Sequence, residues 1–210
     1  MNTQLNPLSA HDQDALLQAS RRVDWRFLLP NPNLDQVALI GSTSDAHAES
    51  LRLFSTQLSI YETPSTAKPF QNLVVLTSPS LQQLRAAAAL VQPGGWLYIE
   101  AKGLLWPKHW KALFKGTSLR CVAEYQRVLT KLGFGNSSAY WHWPNFEAST
   151  RLIPLDDRSA QARAFHQERA GLAAKLQSLG GALLAHSGIL SQIVPFFSVL
   201  AQRLETESSN

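Results

Sequence analysis

Along the first hundred positions, short apolar runs alternate with stretches of helical periodicity. Runs rich in aliphatic, β-branched or aromatic residues and bounded by turn formers occupy 36–41 (QVALIG), 57–62 (QLSIYE), 72–79 (NLVVLTSP) and 95–101 (GWLYIEA). Their length and composition predict buried strands. Between the first two, Ala46, Ser50, Leu51 and Phe54 repeat at helical spacing, with Ser44 or Asp45 placed as N-cap. Between the third and fourth, SLQQLRAAAALVQPGG opens on Ser80 as N-cap, continues as an Ala/Leu helix and stops at Pro93-Gly94-Gly95. Strand, helix, strand, repeated, predicts a parallel sheet with right-handed crossovers.

Beyond residue 101 the pattern predicts a helix around WPKHWKALF, a second around VAEYQRVLTKLGF, and then a two-faced strand in SSAYWHWPNF. There Ala139, Trp141 and Trp143 alternate with Tyr140, His142 and Pro144. RLIPLDD leads into a helical stretch over about 159–179, and FFSVLAQRL reads as a late strand. No repeat or low-complexity linker divides the chain. One domain results: an N-terminal helical segment over 1–34, a core over 35–146, a helical insertion over 147–194, and a last strand and tail over 195–210.

Composition narrows the class. A chain of 210 residues with 45% apolar content buries a sizeable core and is not mainly disordered. Its one cysteine, Cys121, excludes an intramolecular disulfide framework and any multi-cysteine metal site, and a lone thiol fits the cytoplasm. The N-terminus lacks the basic start and apolar run of a secretory signal. The most apolar segment, GGALLAHSGILSQIVPFF, is interrupted by His186, Ser187, Ser191, Gln192 and Pro195, which argues for a helix packed on the domain or on a twin subunit and against a membrane span. The net charge of +4 is local: seven Lys or Arg against Glu124 alone between Lys102 and Lys131. Such a stretch attracts phosphates or an anionic membrane, although a solvated helical face is the plainer reading.

VQPGGWLYIE resembles the LKPGGxLxxE step into the fifth strand of class I S-adenosylmethionine-dependent methyltransferases. The surroundings follow in order. Val37 to Gly41 resembles that family's first strand and glycine loop, and Glu62 falls where its acidic residue ends the second strand. NLVVLTSPS is similar to its fourth strand, and LTKLGF with SSAYWHWP to its helix, turn and sixth strand. The resemblance spans about 35–204 and implies a Rossmann-like α/β fold, mainly parallel, with FSVLAQR as a last antiparallel strand. It further implies S-adenosylmethionine as cofactor and methyl transfer to oxygen or nitrogen of a small-molecule metabolite. A catalytically inactive relative acting as a binding or scaffold partner is the alternative, since fold does not fix function.

Two departures stand out. The loop reads Gly41-Ser42-Thr43-Ser44 where the family favours G-x-G-x-G. Only TPSTAKPFQ separates Glu62 from Asn72, too short for the family's next helix and third strand, so that strand is expected to be missing.

The resemblance nominates Gly41, Ser42, Thr43, Glu62, Thr77 and Ser78 for the cofactor crevice at the carboxyl ends of the strands, with Glu62 accepting from the ribose hydroxyls. Thr77 and Ser78 have turn capping before Pro79 as their other reading. Arg26, in DWRFLLPNP, is a candidate for the cofactor carboxylate, or else forms a local ion pair with Asp24 over Trp25. Tyr140 and His142 are the candidates for an acid, a base or an acceptor-orienting group, against the ordinary reading of an aromatic core strand. The six histidines show no metal-ligand spacing, and neither a P-loop nor a G-x-S-x-G elbow is present. Lys108-His109-Trp110-Lys111 mixes base and aromatic, one cluster being too little for a nucleic-acid surface.

Overall fold

The four apolar runs of the first half become four parallel strands side by side in the computed structural model, which describes residues 10–41, 44–67, 71–103, 119, 121–165 and 190–205. In chain order the elements are α1 (Ala10–Arg22), β1 (Leu34–Ile40), α2 (Asp45–Phe54), β2 (Ser55–Tyr61), β3 (Gln71–Thr77), α3 (Leu81–Leu90), β4 (Val91–Lys102), α4 (Val122–Lys131), β5 (Phe134–Trp143), β6 (Arg151–Pro154), α5 (Arg158–Phe165), the single turn α6 (Leu190–Ile193) and β7 (Phe196–Arg203). Short 3₁₀ turns cover Asp24–Leu28 and Pro64–Thr66. The sheet order is β2-β1-β3-β4-β7-β5-β6.

Both expected caps form. Ser44 accepts from the His47 amide, and Ser80 makes a full capping box with Gln83. The Pro-Gly-Gly step is an irregularity at the start of β4. Gly94 has φ +76°, and a Cβ on Gly95 would stand 2.9 Å from the Gln92 carbonyl and 3.0 Å from that of Asn72. Only glycine fits there.

Each strand sends alternate residues to opposite sides. Ala38, Ile40, Val74, Leu76, Leu97, Ile99 and Val199 pack beneath α3 and α4, whereas Val37, Leu39, Leu73, Val75, Tyr98 and Leu200 pack beneath α2 and the Trp25 turn. β7 runs antiparallel to both β4 and β5.

The third strand is missing among the described residues, as nine residues between Glu62 and Asn72 required, and β2 is therefore an edge of the sheet. One element departs from expectation. The insertion after residue 147 is not helical throughout: Arg151–Pro154 pairs antiparallel with β5, Trp141 opposite Ile153. Four residues ending in proline are too few for alternation to register. The helix expected around WPKHWKALF, much of the basic stretch, and the helical reading of 166–189 lie outside the described residues.

Candidate functional site

The carboxyl ends of β1, β2 and β3 meet at Gly41, Glu62 and Thr77. Gly41 has φ +106°, which a side chain disfavours, and its N–H donates to the Tyr61 carbonyl at 3.0 Å. That bond holds the glycine turn beside the residue preceding Glu62. Across from it, the Thr77 carbonyl lies 3.5 Å from where a Cβ on Gly41 would stand. Glu62 is exposed just beyond β2. Ser78 follows β3 at φ +47° and donates its N–H to the Glu100 carbonyl at 2.7 Å. Thr77 Oγ1 is buried and has no hydrogen-bond partner among the described residues. Ser42 and Thr43 lie outside the described residues.

Arg26 is elsewhere. It lines a groove with Leu34, Ser55 and Thr56, the first residues of β1 and β2, so it sits at the amino end of the sheet. Its guanidinium lies over the rings of Phe27 and Phe54 and donates to the carbonyls of Ser20 and Val23 at 3.2 Å. Asp24 approaches it only to 4.0 Å. Arg26 is thus a structural cation at the end opposite Gly41, and the cofactor role expected for it is corrected. The α1 and Trp25 segment reaches β4 further along, which brings a different arginine to the carboxyl end.

That arginine is Arg22. Its guanidinium grips Glu100 of β4 in a fork, Nη1 to Oε1 at 2.5 Å and Nη2 to Oε2 at 2.7 Å, with both side chains buried. Tyr98, two residues earlier on the same face of β4, donates its hydroxyl toward Glu100 Oε1 at 3.3 Å and stacks on Trp25 at 3.9 Å. His142 Nε2 lies 2.8 Å from Ser198 Oγ and 3.4 Å from the Tyr98 hydroxyl. His47, on α2, is fully buried beside the same group, close enough for its charge to act on Glu100. Five titratable side chains from α1, α2, β4 and β5 therefore form one buried cluster under the strand ends.

Their electrostatics follow from burial and from one ion pair. Burial alone would raise Glu100, yet the Arg22 charge and its hydrogen bonds hold the carboxyl below its ordinary range. Burial pulls Arg22 down, and Glu100 more than reverses this. Tyr98 is pushed well up by burial and by the neighbouring carboxylate. His47 and His142 are each lowered to about 4, chiefly by burial. At neutral pH the cluster holds one cation, one anion and neutral rings.

This corrects the expectation of an accessible imidazole. His142 is 2% exposed, packed on Phe146 and bonded to Ser198. Tyr140 is half-buried on β5, opposite Ser198 and Pro154. Arg22, Tyr98, His47 and Ser198 escaped sequence reasoning, and Glu100 entered it only as the end of the VQPGGWLYIE motif, without a role. The alternation of Tyr98 and Glu100 within an apolar run was a usable signal for a polar face. Nothing local marked Arg22, which is 78 residues from its partner.

Among the described residues no group of acids, histidines and cysteines is arranged to hold a metal, and no helix is long and apolar enough to cross a membrane.

No protein-family model matches the chain, and no curated protein matches it in sequence. Solved structures do match. One is Haemonchus contortus phosphoethanolamine N-methyltransferase 2 in complex with S-adenosyl-L-methionine, with a TM-score of 0.50 and 11% identity over 92% of this chain and 53% of that one. This chain therefore spans about half the length of that protein. Another is an S-adenosylmethionine-dependent methyltransferase from Archaeoglobus fulgidus, with a TM-score of 0.50 and 10% identity over 89% of this chain and 94% of that one. Likeness at such identity speaks to fold. The parallel order β2-β1-β3-β4, the antiparallel β7 inserted before β5, and these matches together establish that the chain has a class I S-adenosylmethionine-dependent methyltransferase-like fold.

Proposed function

We propose that this chain binds S-adenosylmethionine at the carboxyl ends of β1 to β3 and transfers its methyl group to oxygen or nitrogen of a small-molecule metabolite. The observation that carries this reading is the pairing of Gly41, at φ +106°, across the strand ends with Thr77 Oγ1, which is buried and has no partner among the described residues. A buried hydroxyl without a partner costs about 1–3 kcal/mol, so a hydrogen-bonding ligand at that place stabilises it. The residues fit the cofactor: Gly41 leaves its backbone open to close approach, and Glu62 is exposed and placed to accept from two ribose hydroxyls. Ser42 and Thr43, which follow Gly41 in the chain, and exposed Ser78, which follows Thr77, supply further hydrogen-bonding groups in this reading. Bound there, S-adenosylmethionine supplies a sulfonium-activated methyl group, and transfer needs an aligned nucleophile more than a dedicated acid or base. His142 holds the Tyr98–Ser198 end of the buried cluster behind the strand ends and takes no direct part in that alignment.

A second reading, a methyltransferase-like protein that binds without catalysis, is favoured by the way Arg22, Glu100, Tyr98, His142 and Ser198 bond to one another in the interior, Arg22 through both terminal nitrogens, rather than facing the strand-end crevice.

Calorimetric titration with S-adenosylmethionine and S-adenosylhomocysteine tests the proposal, together with Glu62→Gln. The substitution keeps one acceptor and removes the charge, and charge-assisted bonds contribute about 1.5–3 kcal/mol each, so affinity falls about tenfold or more. The melting temperature stays put, because an exposed strand-end carboxylate has no packing to lose. No binding by folded protein up to about millimolar ligand, some 4 kcal/mol of affinity, refutes the cofactor site, and binding without turnover selects the second reading.

A further inference from the structure

The shortened connection after β2 leaves that strand as a sheet edge that no described strand covers. With β1 on one side only, alternate N–H and C=O groups of β2 point outward with no strand to receive them among the described residues. No residue of β2 is fully buried, whereas β1 buries Val37 to Ile40 in succession. Natural edges are blunted by shortness, charge or proline. The opposite edge, β6, has all three, being four residues long, opening on exposed Arg151 and ending on Pro154. β2 has none: STQLSIY is seven residues without a charge or a proline, and Ile60 is 45% exposed.

We propose that a second copy of this chain pairs its β2 antiparallel with β2 across a two-fold axis near Leu58, so that one sheet runs through both copies. The strand is self-complementary in that register. Leu58 meets Leu58, Gln57 meets Ser59, Thr56 meets Ile60, and no like charges oppose each other.

Helix α2 supplies the second, independent match. It packs over β1 and β2, and the side lined by Ala46, Ser50 and Leu53 faces a groove shared with α1. Asp45 and Arg52 are seven residues apart and hence on one stripe of the helix, both exposed. A two-fold axis perpendicular to the sheet sets the two α2 helices antiparallel on the same face, so Asp45 of each copy approaches Arg52 of the other. Arg52 is held by Glu49 of its own helix, a pair more than half exposed on both sides and therefore weakly committed. Opposite charges at opposite ends of one helix make that stripe self-complementary, which is the condition an isologous contact sets.

Sedimentation velocity on the full chain at about 100 µM, where an interface of modest size is populated, should show a dimer. Gln57→Lys with Ser59→Lys sets lysine against lysine across the edge and should give a monomer with an unchanged circular dichroism spectrum. Arg52→Asp should raise the dissociation constant about tenfold, and Asp45→Arg added to it should restore the original value. Because Asp45 and Arg52 are exposed, this swap decides the matter even if the lysine variant fails to fold. A wild-type monomer, a dimer indifferent to the two lysines, or a charge swap without recovery overturns the proposal.

Discussion

Two histidines buried beside an ion pair make acid the natural probe of this fold. His47 and His142 have folded pKa values of about 4 against 6.5 when solvated. The unfolded chain therefore binds more protons than the folded chain between those values, and stability falls as pH drops from about 6.5 toward 4. From pH 7 to pH 5, each such histidine withdraws about 2 kcal/mol, obtained from the two protonation curves. Together that is about 4 kcal/mol, a large part of the 5–15 kcal/mol that holds a domain. Glu100, lowered by Arg22, adds its own loss as pH falls through the ordinary carboxylate range toward its lower folded value, so most of that loss comes at lower pH than the histidine loss measured between pH 7 and pH 5. His142→Gln retains a polar partner for Ser198 but does not titrate. It should be less stable at pH 7, having lost the ring packed 4.8 Å from Phe146, yet should lose about 2 kcal/mol less than the wild type between pH 7 and pH 5. Urea denaturation followed by tryptophan fluorescence at pH 7, 6 and 5 measures both. Equal pH dependence in variant and wild type would show that His142 is not buried in its neutral form, and the cluster as described would be wrong.

The Arg22–Glu100 pair should behave as a unit: Arg22→Met leaves an uncompensated buried carboxylate and costs about 3–5 kcal/mol, whereas adding Glu100→Leu recovers most of it. Additive losses in a urea double-mutant cycle would refute the pairing. Gly41→Ala meets no close contact, since the Thr77 carbonyl is 3.5 Å from the new Cβ, but φ +106° is strained for alanine. A loss of about 1–2 kcal/mol is expected in thermal or urea unfolding, and a neutral substitution would mean that the turn readily adopts another conformation.

The sequence by itself determined the element order and the sheet class. Strands such as NLVVLTSP carry their signal in four consecutive apolar residues, and Ser44 and Ser80 mark helix starts through local hydrogen bonds to His47 and Gln83. These are short-range effects, readable from neighbours in the chain. The missing third strand was also legible, because nine residues cannot span a crossover helix and a strand. β6 was not, because four residues ending in proline carry no local pattern, and the strand forms through long-range contacts, its pairing with β5 and the burial of Ile153 in the core. Tertiary structure alone decided which polar residues share an interior. Arg26 and Arg22 are four residues apart in the chain, on either side of the break between α1 and the Asp24–Leu28 turn, and the sequence favoured the arginine beside Asp24 and Trp25. The path of α1 across the sheet instead carries Arg22 to Glu100 and leaves Arg26 over Phe27 and Phe54 at the far end. His142 and Ser198 likewise meet because β5 and β7 are neighbours in the sheet, 56 residues apart along the chain. Periodicity tells which face of a strand a residue occupies. What covers that face is set by long-range packing, and burial then decides whether a histidine is an accessible base or a neutral ring with a pKa of about 4.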